Sequence, residues 1–116
     1  MNSQSSIRIA WEPLRSLAYT SISGTYALIG TPFANPARQL IINNATDANM
    51  IFSWDGVTDY LFVAASTSMI LDYCSNKNDM AGTLEQPAGT FAYVRQESAS
   101  PTKGTIYLSL IYASQA

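Results

Sequence analysis

The chain has 116 residues, six basic and eight acidic side chains for a net charge of −2, no histidine and one cysteine. This length holds one domain with one core. The missing histidine removes Ser-His-Asp and Cys-His catalysis, histidine-based zinc sites and a pH switch near neutrality, and the lone Cys74 excludes an intrachain disulfide. The charged fraction, 12%, is about half of the roughly 25% usual for globular chains. Arg8, Arg15, Arg38, Lys77, Arg95 and Lys103 are scattered, so neither a phosphate-tracking surface nor a nucleic-acid partner is expected. Ser, Thr, Asn and Gln must cover much of the exterior instead, and an uncharged polar surface suits packing against other subunits.

Met1 to Ser6 is polar, with neither a cationic start nor an apolar stretch behind it, so no secretory signal is expected. These residues are read as an arm lying against a neighbouring protein, and residues 7–116 as the single domain. Ile7 to Trp11 alternates and stops before Pro13. Leu17 to Ile22 and Thr25 to Ile29 read as two strands flanking Ser23-Gly24, a hairpin-sized break, and the loop Gly30 to Pro36 follows, with two prolines that remove donors.

Arg38 to Asn43, Asn49 to Trp54 and Tyr60 to Val63 read as a β-meander, which Ser66 to Tyr73 continues. Its turns have a mechanism: Asn43, Asn44, Asp47 and Asn49 tolerate left-handed backbone, and Asp55-Gly56 supplies the positive φ of a tight hairpin. Ser75 to Gly89 is the longest irregular stretch and the place where a localised function is expected. Thr90 to Arg95 and Thr105 to Tyr112, joined through the turn pairs Ser100-Pro101 and Lys103-Gly104, are expected to pair antiparallel. The mainly apolar runs, about eight residues at most, fall far short of the roughly twenty that span a bilayer, so no membrane partner is expected. About seven to nine short strands at this spacing predict an all-β, antiparallel sandwich or small barrel, with a jelly roll as one option.

The chemistry on offer is sparse, and neither an enzyme nor a cofactor is expected. Asp55 and Asp59 are a carboxylate pair of the kind that flanks a glycosidic bond, but their turn position makes them structural residues, as does that of Gly56. Asp47, Asn49, Asp55 and Asp59 supply hard oxygen ligands without the spacing of a calcium loop, so no metal site is expected. Trp11, Trp54 and seven tyrosines offer aromatic contact area, with core or interface packing favoured over ligand stacking. In the last strand Ile106, Leu108, Leu110 and Tyr112 share one face, while the opposite face carries Tyr107, Ser109 and Ile111, more apolar than open solvent favours. Trp54, Tyr107, Ser109 and Ile111 are therefore the candidate interface residues. Asn44-Ala45-Thr46 matches a glycosylation acceptor that is idle without a secretory route.

The run from Asn43 to Ala65, preceded by Pro36 to Leu40 and followed by Asn76-Lys77-Asn78, resembles a family of small structural proteins of tailed bacteriophages, and the closing stretch Gly104 to Ala113 is similar too. The likeness extends from about Leu14 onward and consists of turn and strand patterns, not a chemical signature. It implies a homo-oligomeric virion component at the head–tail connector, on the tail, or on the capsid as decoration. Its partners would be copies of itself and other virion proteins, and its assembly would take place in the host cytoplasm. The alternative, from another class, is a carbohydrate-binding module that aids host attachment through exposed aromatics, with a glycan as its ligand.

Overall fold

The computed structural model describes residues 7–73 and 84–115. The expected arm at residues 1–6, Cys74 and Asn76 to Asn78 lie outside the described residues, as does most of the irregular stretch. Among the described residues there are nine strands: β1 (Ile7–Trp11), β2 (Arg15–Ala18), β3 (Ala27–Leu28), β4 (Gln39–Asn44), β5 (Met50–Ser53), β6 (Leu61–Val63), β7 (Thr67–Asp72), β8 (Tyr93–Gln96) and β9 (Thr105–Gln115). They form two antiparallel sheets packed face to face, the all-β sandwich that the strand pattern predicts. In the first sheet β9 is central, with β4 and then β7 on one side and β1 and β2 end to end on the other; the second runs β3-β8-β5-β6.

Alternation explains the core. On β9, Ile106, Leu108 and Leu110 are all but inaccessible and stand opposite Asn44, Ile42 and Leu40 of β4. From the other sheet, Met50, Phe52, Val63 and Val94 complete the same cluster, with Ile29 and Phe33 closing it from the loops.

Three expected pairings are corrected. Ser23-Gly24 is not a hairpin: β2 pairs with β9 and β3 with β8, so the chain changes sheets there, through a single 3-10 turn at Tyr19–Ser21 and the buried Ile22. The meander is likewise split, since only β5 and β6 are neighbours, while β4 and β7 pair in the opposite sheet. Nor do β8 and β9 pair with each other; the chain between them crosses from the second sheet to the first. In each case the break contains turn residues, but a turn reverses direction equally well within a sheet or from one sheet to the other. Burial of the flanking side chains decides between the two.

Asn44 makes one of these crossings. Its side chain is fully buried on the inward face of β4, and Nδ2 lies 3.0, 3.1 and 3.1 Å from the carbonyls of Ala48, Val63 and Ala64. Oδ1 accepts from the Thr46 N–H at 3.1 Å and from the Thr46 hydroxyl at 2.6 Å. One amide thus fastens both the β4–β5 and the β6–β7 connections, and a group so enclosed is closed to glycosylation in the folded chain. At the β8–β9 crossing Gly104 adopts φ +97°, and a Cβ there would meet the Ala45 carbonyl oxygen at 2.0 Å.

The first sheet's long edge is interrupted. Trp11 stands opposite Ile111 and Arg15 opposite Leu108, so residues 12–14 face only residues 109–110, a bulge at Pro13, which has no N–H to donate. At the far edge, the Tyr73 N–H donates to the Arg38 carbonyl at 3.0 Å as β7 ends, and Gln86 exchanges both main-chain bonds with Ala37 at 2.7 and 2.9 Å where the chain returns.

Candidate interaction surfaces

The outward face of the first sheet gathers side chains from five strands. Register puts Trp11 beside Ile111, Ile9 beside Ala113, Ile41 between Ser109 and Ile70, and Tyr107 between Ser16 and Asn43. Ile9, Ile70 and Trp11 are 74%, 62% and 59% exposed, far more than a residue held in a core. Tyr107 is exposed, and Ser109 and Ile111 are half-buried by their neighbours. Three of the four candidate interface residues therefore lie on one open face, as the alternation of β9 predicts.

The fourth, Trp54, lies elsewhere. It follows β5 in the second sheet, is half-buried and packs against the core cluster. The tryptophan of the open face is Trp11, which sequence reasoning grouped with the other aromatics without placing it. The available signal was its alternation with Ile9 in β1. A shallow pocket of about 310 Å³ opens on this face between Ile9, Arg38, Gln39, Ile111 and Ala113, which is the lower end of the range of small-molecule sites.

The second sheet's outward face differs. Phe62 beside Ile51, and Leu28 beside Tyr93, form its apolar part, with Phe91 6.1 Å from Tyr93 between ring centres. Opposite Ile51 on the same face, the Arg95 guanidinium donates to Asp59 at 2.8 Å and stands 5.6 Å from the centre of the Tyr26 ring, whose hydroxyl also donates to Asp59. The Arg95 and Tyr26 bonds hold the Asp59 carboxyl below its ordinary pKa. Burial, and then the same bond to Asp59, push the Tyr26 hydroxyl above its own.

Asp55 is a turn residue, as expected, but the turn is wider than a tight hairpin, since β5 ends at Ser53 and β6 starts at Leu61. Asp55 Oδ1 accepts from the N–H groups of Thr58 and Val57, both at 2.8 Å, and from the Ser53 hydroxyl at 2.7 Å. These bonds favour the ionised form and hold its pKa far below the usual carboxylate range. Gly56 takes φ +78° against the Tyr93 ring. The carboxylates of Asp55 and Asp59 are thus committed to different partners. Asp47 accepts from the Thr102 N–H at 2.8 Å, and Asn49 accepts from the Ala65 N–H at 3.0 Å, so the four oxygen donors serve four separate joints. Among the described residues no three acidic or thiol groups gather as metal ligands, and no helix is long and apolar enough to cross a membrane.

Sequence reasoning missed a buried ion pair at the bulge. Arg15 points inward beside Leu108, where its Nη2 donates to Glu12 at 2.7 Å and to the Pro32 carbonyl at 3.0 Å, and its Nε to the Thr31 carbonyl at 2.9 Å. Glu12 in turn accepts from the Asn35 N–H at 2.7 Å and its side-chain amide at 2.8 Å. Burial pushes the Glu12 carboxyl up, but Arg15, Asn35 and the main-chain N–H groups of Ala34 and Asn35 outweigh it and leave its pKa lowered. The pair pins the loop after β3 to the bulge. Both groups are 7% exposed or less, and Arg15 Nε and Nη2 are spent on this chain's own atoms while its Nη1 is buried without a hydrogen-bond partner.

Among the described residues, nine antiparallel strands in two packed sheets define an all-β sandwich. No family model matches the chain, and no curated protein matches it.

Proposed function

We propose that this protein is a homo-oligomeric structural component of a tailed-phage virion, at the head–tail connector, on the tail or on the capsid surface, acting by complementary packing and without catalysis. The observation that carries an assembly role is the open face of the first sheet, where Ile9, Trp11 and Ile70 stand exposed on the same side as Ile41, Tyr107 and Ile111, with Arg8 and Arg38 beside Ile9 at its pocket. Contiguous apolar surface rimmed by polar residues marks protein contact, and aromatic side chains with few charges are the composition of an interface centre. The phage setting rests on the sequence resemblance alone.

Sedimentation and binding to purified phage heads and tails test this reading. Wild type should associate or bind particles, and Trp11→Ser with Tyr107→Ser should reduce both while the fold is retained. A chain that stays monomeric at high micromolar concentration and binds neither heads nor tails would remove the assembly role.

A second reading is carbohydrate binding by the second sheet, favoured by the open Phe91, Tyr93 and Phe62 surface next to Asp59 and Arg95. Glycan binding that is lost with Phe91→Ala and kept with Trp11→Ser would select it.

A further inference from the structure

One row of side chains crosses the whole outward face of the second sheet. Arg95 stands opposite Ile51 and Ile51 opposite Phe62, and the register of β3 with β8, carried one residue beyond Ala27, sets Tyr26 beside Arg95. Phe62 is 48% exposed and lies two strand spacings, roughly 10 Å, from the Arg95 backbone.

Within that row a carboxylate is already bound. Asp59 reaches in from the turn between β5 and β6, and Arg95 grips it with both prongs of its fork: Nε donates to Oδ1 at 3.3 Å and Nη2 to Oδ2 at 2.8 Å, while the Tyr26 hydroxyl also donates to Oδ1. Two parallel N–H donors from a guanidinium, with a hydroxyl beside them, are a donor set matched to a carboxylate. The guanidinium does not owe its orientation to Asp59. Its Nη1 donates to the Gln96 carbonyl at 2.9 Å, and its carbon lies 5.6 Å from the centre of the Tyr26 ring. These two contacts keep the fork aimed whichever carboxylate fills it. Asp59 is the loosely held member: its side chain is 52% exposed, it follows a turn tip where Val57 is 82% exposed, and exposed ion pairs hold their partners weakly.

We propose that Arg95 and Tyr26 form a receptor for the carboxylate of a uronic-acid glycan, and that Asp59 is its built-in competitor, filling the site until a ligand that also stacks on Phe62 displaces it. This rests on the carbohydrate reading of the second sheet's face and names the sugar class. A lone carboxylate does not displace Asp59, which its tether presents at an effective concentration on the order of millimolar. A uronate joined to a second pyranose adds ring contact on Phe62 that Asp59 does not make, and the fork then merely exchanges one carboxylate for another. A neutral sugar gains nothing from the fork, so Asp59 also acts against the wrong ligand. The flat, exposed ring of Phe62 matches the apolar face of a pyranose, which the side chains of an acidic peptide do not present.

The experiment is titration calorimetry of the full chain with oligogalacturonate and with its methyl ester, the same sugar backbone without the charge. Asp59→Ala should bind the acid roughly fivefold tighter than wild type does, because the competitor is gone, and about tenfold tighter than it binds the ester. Adding Arg95→Gln should remove that preference while the ester still binds. Circular dichroism confirms the fold of each variant. Acid bound no tighter by Asp59→Ala than by wild type overturns the proposal. Acid and ester bound equally by Asp59→Ala, with both lost in Phe91→Ala, overturns the carboxylate receptor and keeps the carbohydrate reading. Binding of neither form removes both. A polyglutamate peptide bound more tightly than oligogalacturonate by Asp59→Ala assigns the fork to a protein partner and also overturns the proposal.

Discussion

On the first sheet's outer face, Trp11, Ile9 and Ile70 stand exposed beside other apolar side chains and small polar ones. On the second sheet's, Phe62, Phe91 and Leu28 are less exposed, and Arg95, opposite Ile51, is tied to Asp59 and Tyr26. Charge-assisted bonds to neighbours of the same chain fix side chains in place and keep them hydrated, whereas an apolar face with few such bonds gains most when another protein covers it. The two faces share one core and one fold, so what separates them is the placement of a handful of outward residues.

The comparison is broken most completely where the sheets are held in register. Gly104→Ala drives a methyl group into the Ala45 carbonyl at a positive φ, and we expect a loss of about 3–5 kcal/mol in urea unfolding, which both faces would share. Asn44→Ala leaves three carbonyls facing an apolar side chain; the expected loss is about 2–4 kcal/mol. Retention of wild-type stability would show that water replaces the amide there.

Effects confined to one face are smaller. Gly56→Val forces a β-branched residue into positive φ against Tyr93, beneath the second sheet's face, and should cost roughly 1–3 kcal/mol. Glu12 sharpens the contrast through pH. Its folded pKa lies below the ordinary value of 4.5, so its contribution is fully present above that value and is lost as pH falls through the lowered one. Glu12→Gln should therefore flatten the acid side of the stability curve, and an unchanged curve would mean the carboxylate is not ionised in the fold. The smallest change in stability, within about 0.5 kcal/mol, is expected for Trp11→Ser, measured by thermal melting. A large loss would show that the Trp11 ring is a support of the fold.

Much of the fold was legible because β9 writes its two faces in strict alternation: Ile106, Leu108 and Leu110 inward, Tyr107, Ser109 and Ile111 outward. The number of strands and the turn role of Asp55-Gly56 were legible for the same local reasons. Pairing was not. Asn43 to Asn49 has the composition of a hairpin turn, and only the burial of Asn44, a tertiary fact, sends the chain into the other sheet. The Glu12–Arg15 pair was invisible because charged residues beside a proline read as surface. Opposite charges three residues apart astride Pro13 were its one local trace. Trp54 was assigned to an interface on strand position alone, which says nothing about what lies beneath the ring.

The chain leaves β7 at Tyr73 and returns at Gln86, and the main-chain bonds at those two points go to Arg38 and Ala37, adjacent residues. The base of this excursion is therefore clamped independently of the number of residues between its ends. Because closure entropy grows only logarithmically, doubling that number costs roughly 0.6 kcal/mol. Residues added between Tyr73 and Gln86 should therefore leave both sheets intact, with thermal melting as the measurement that checks it.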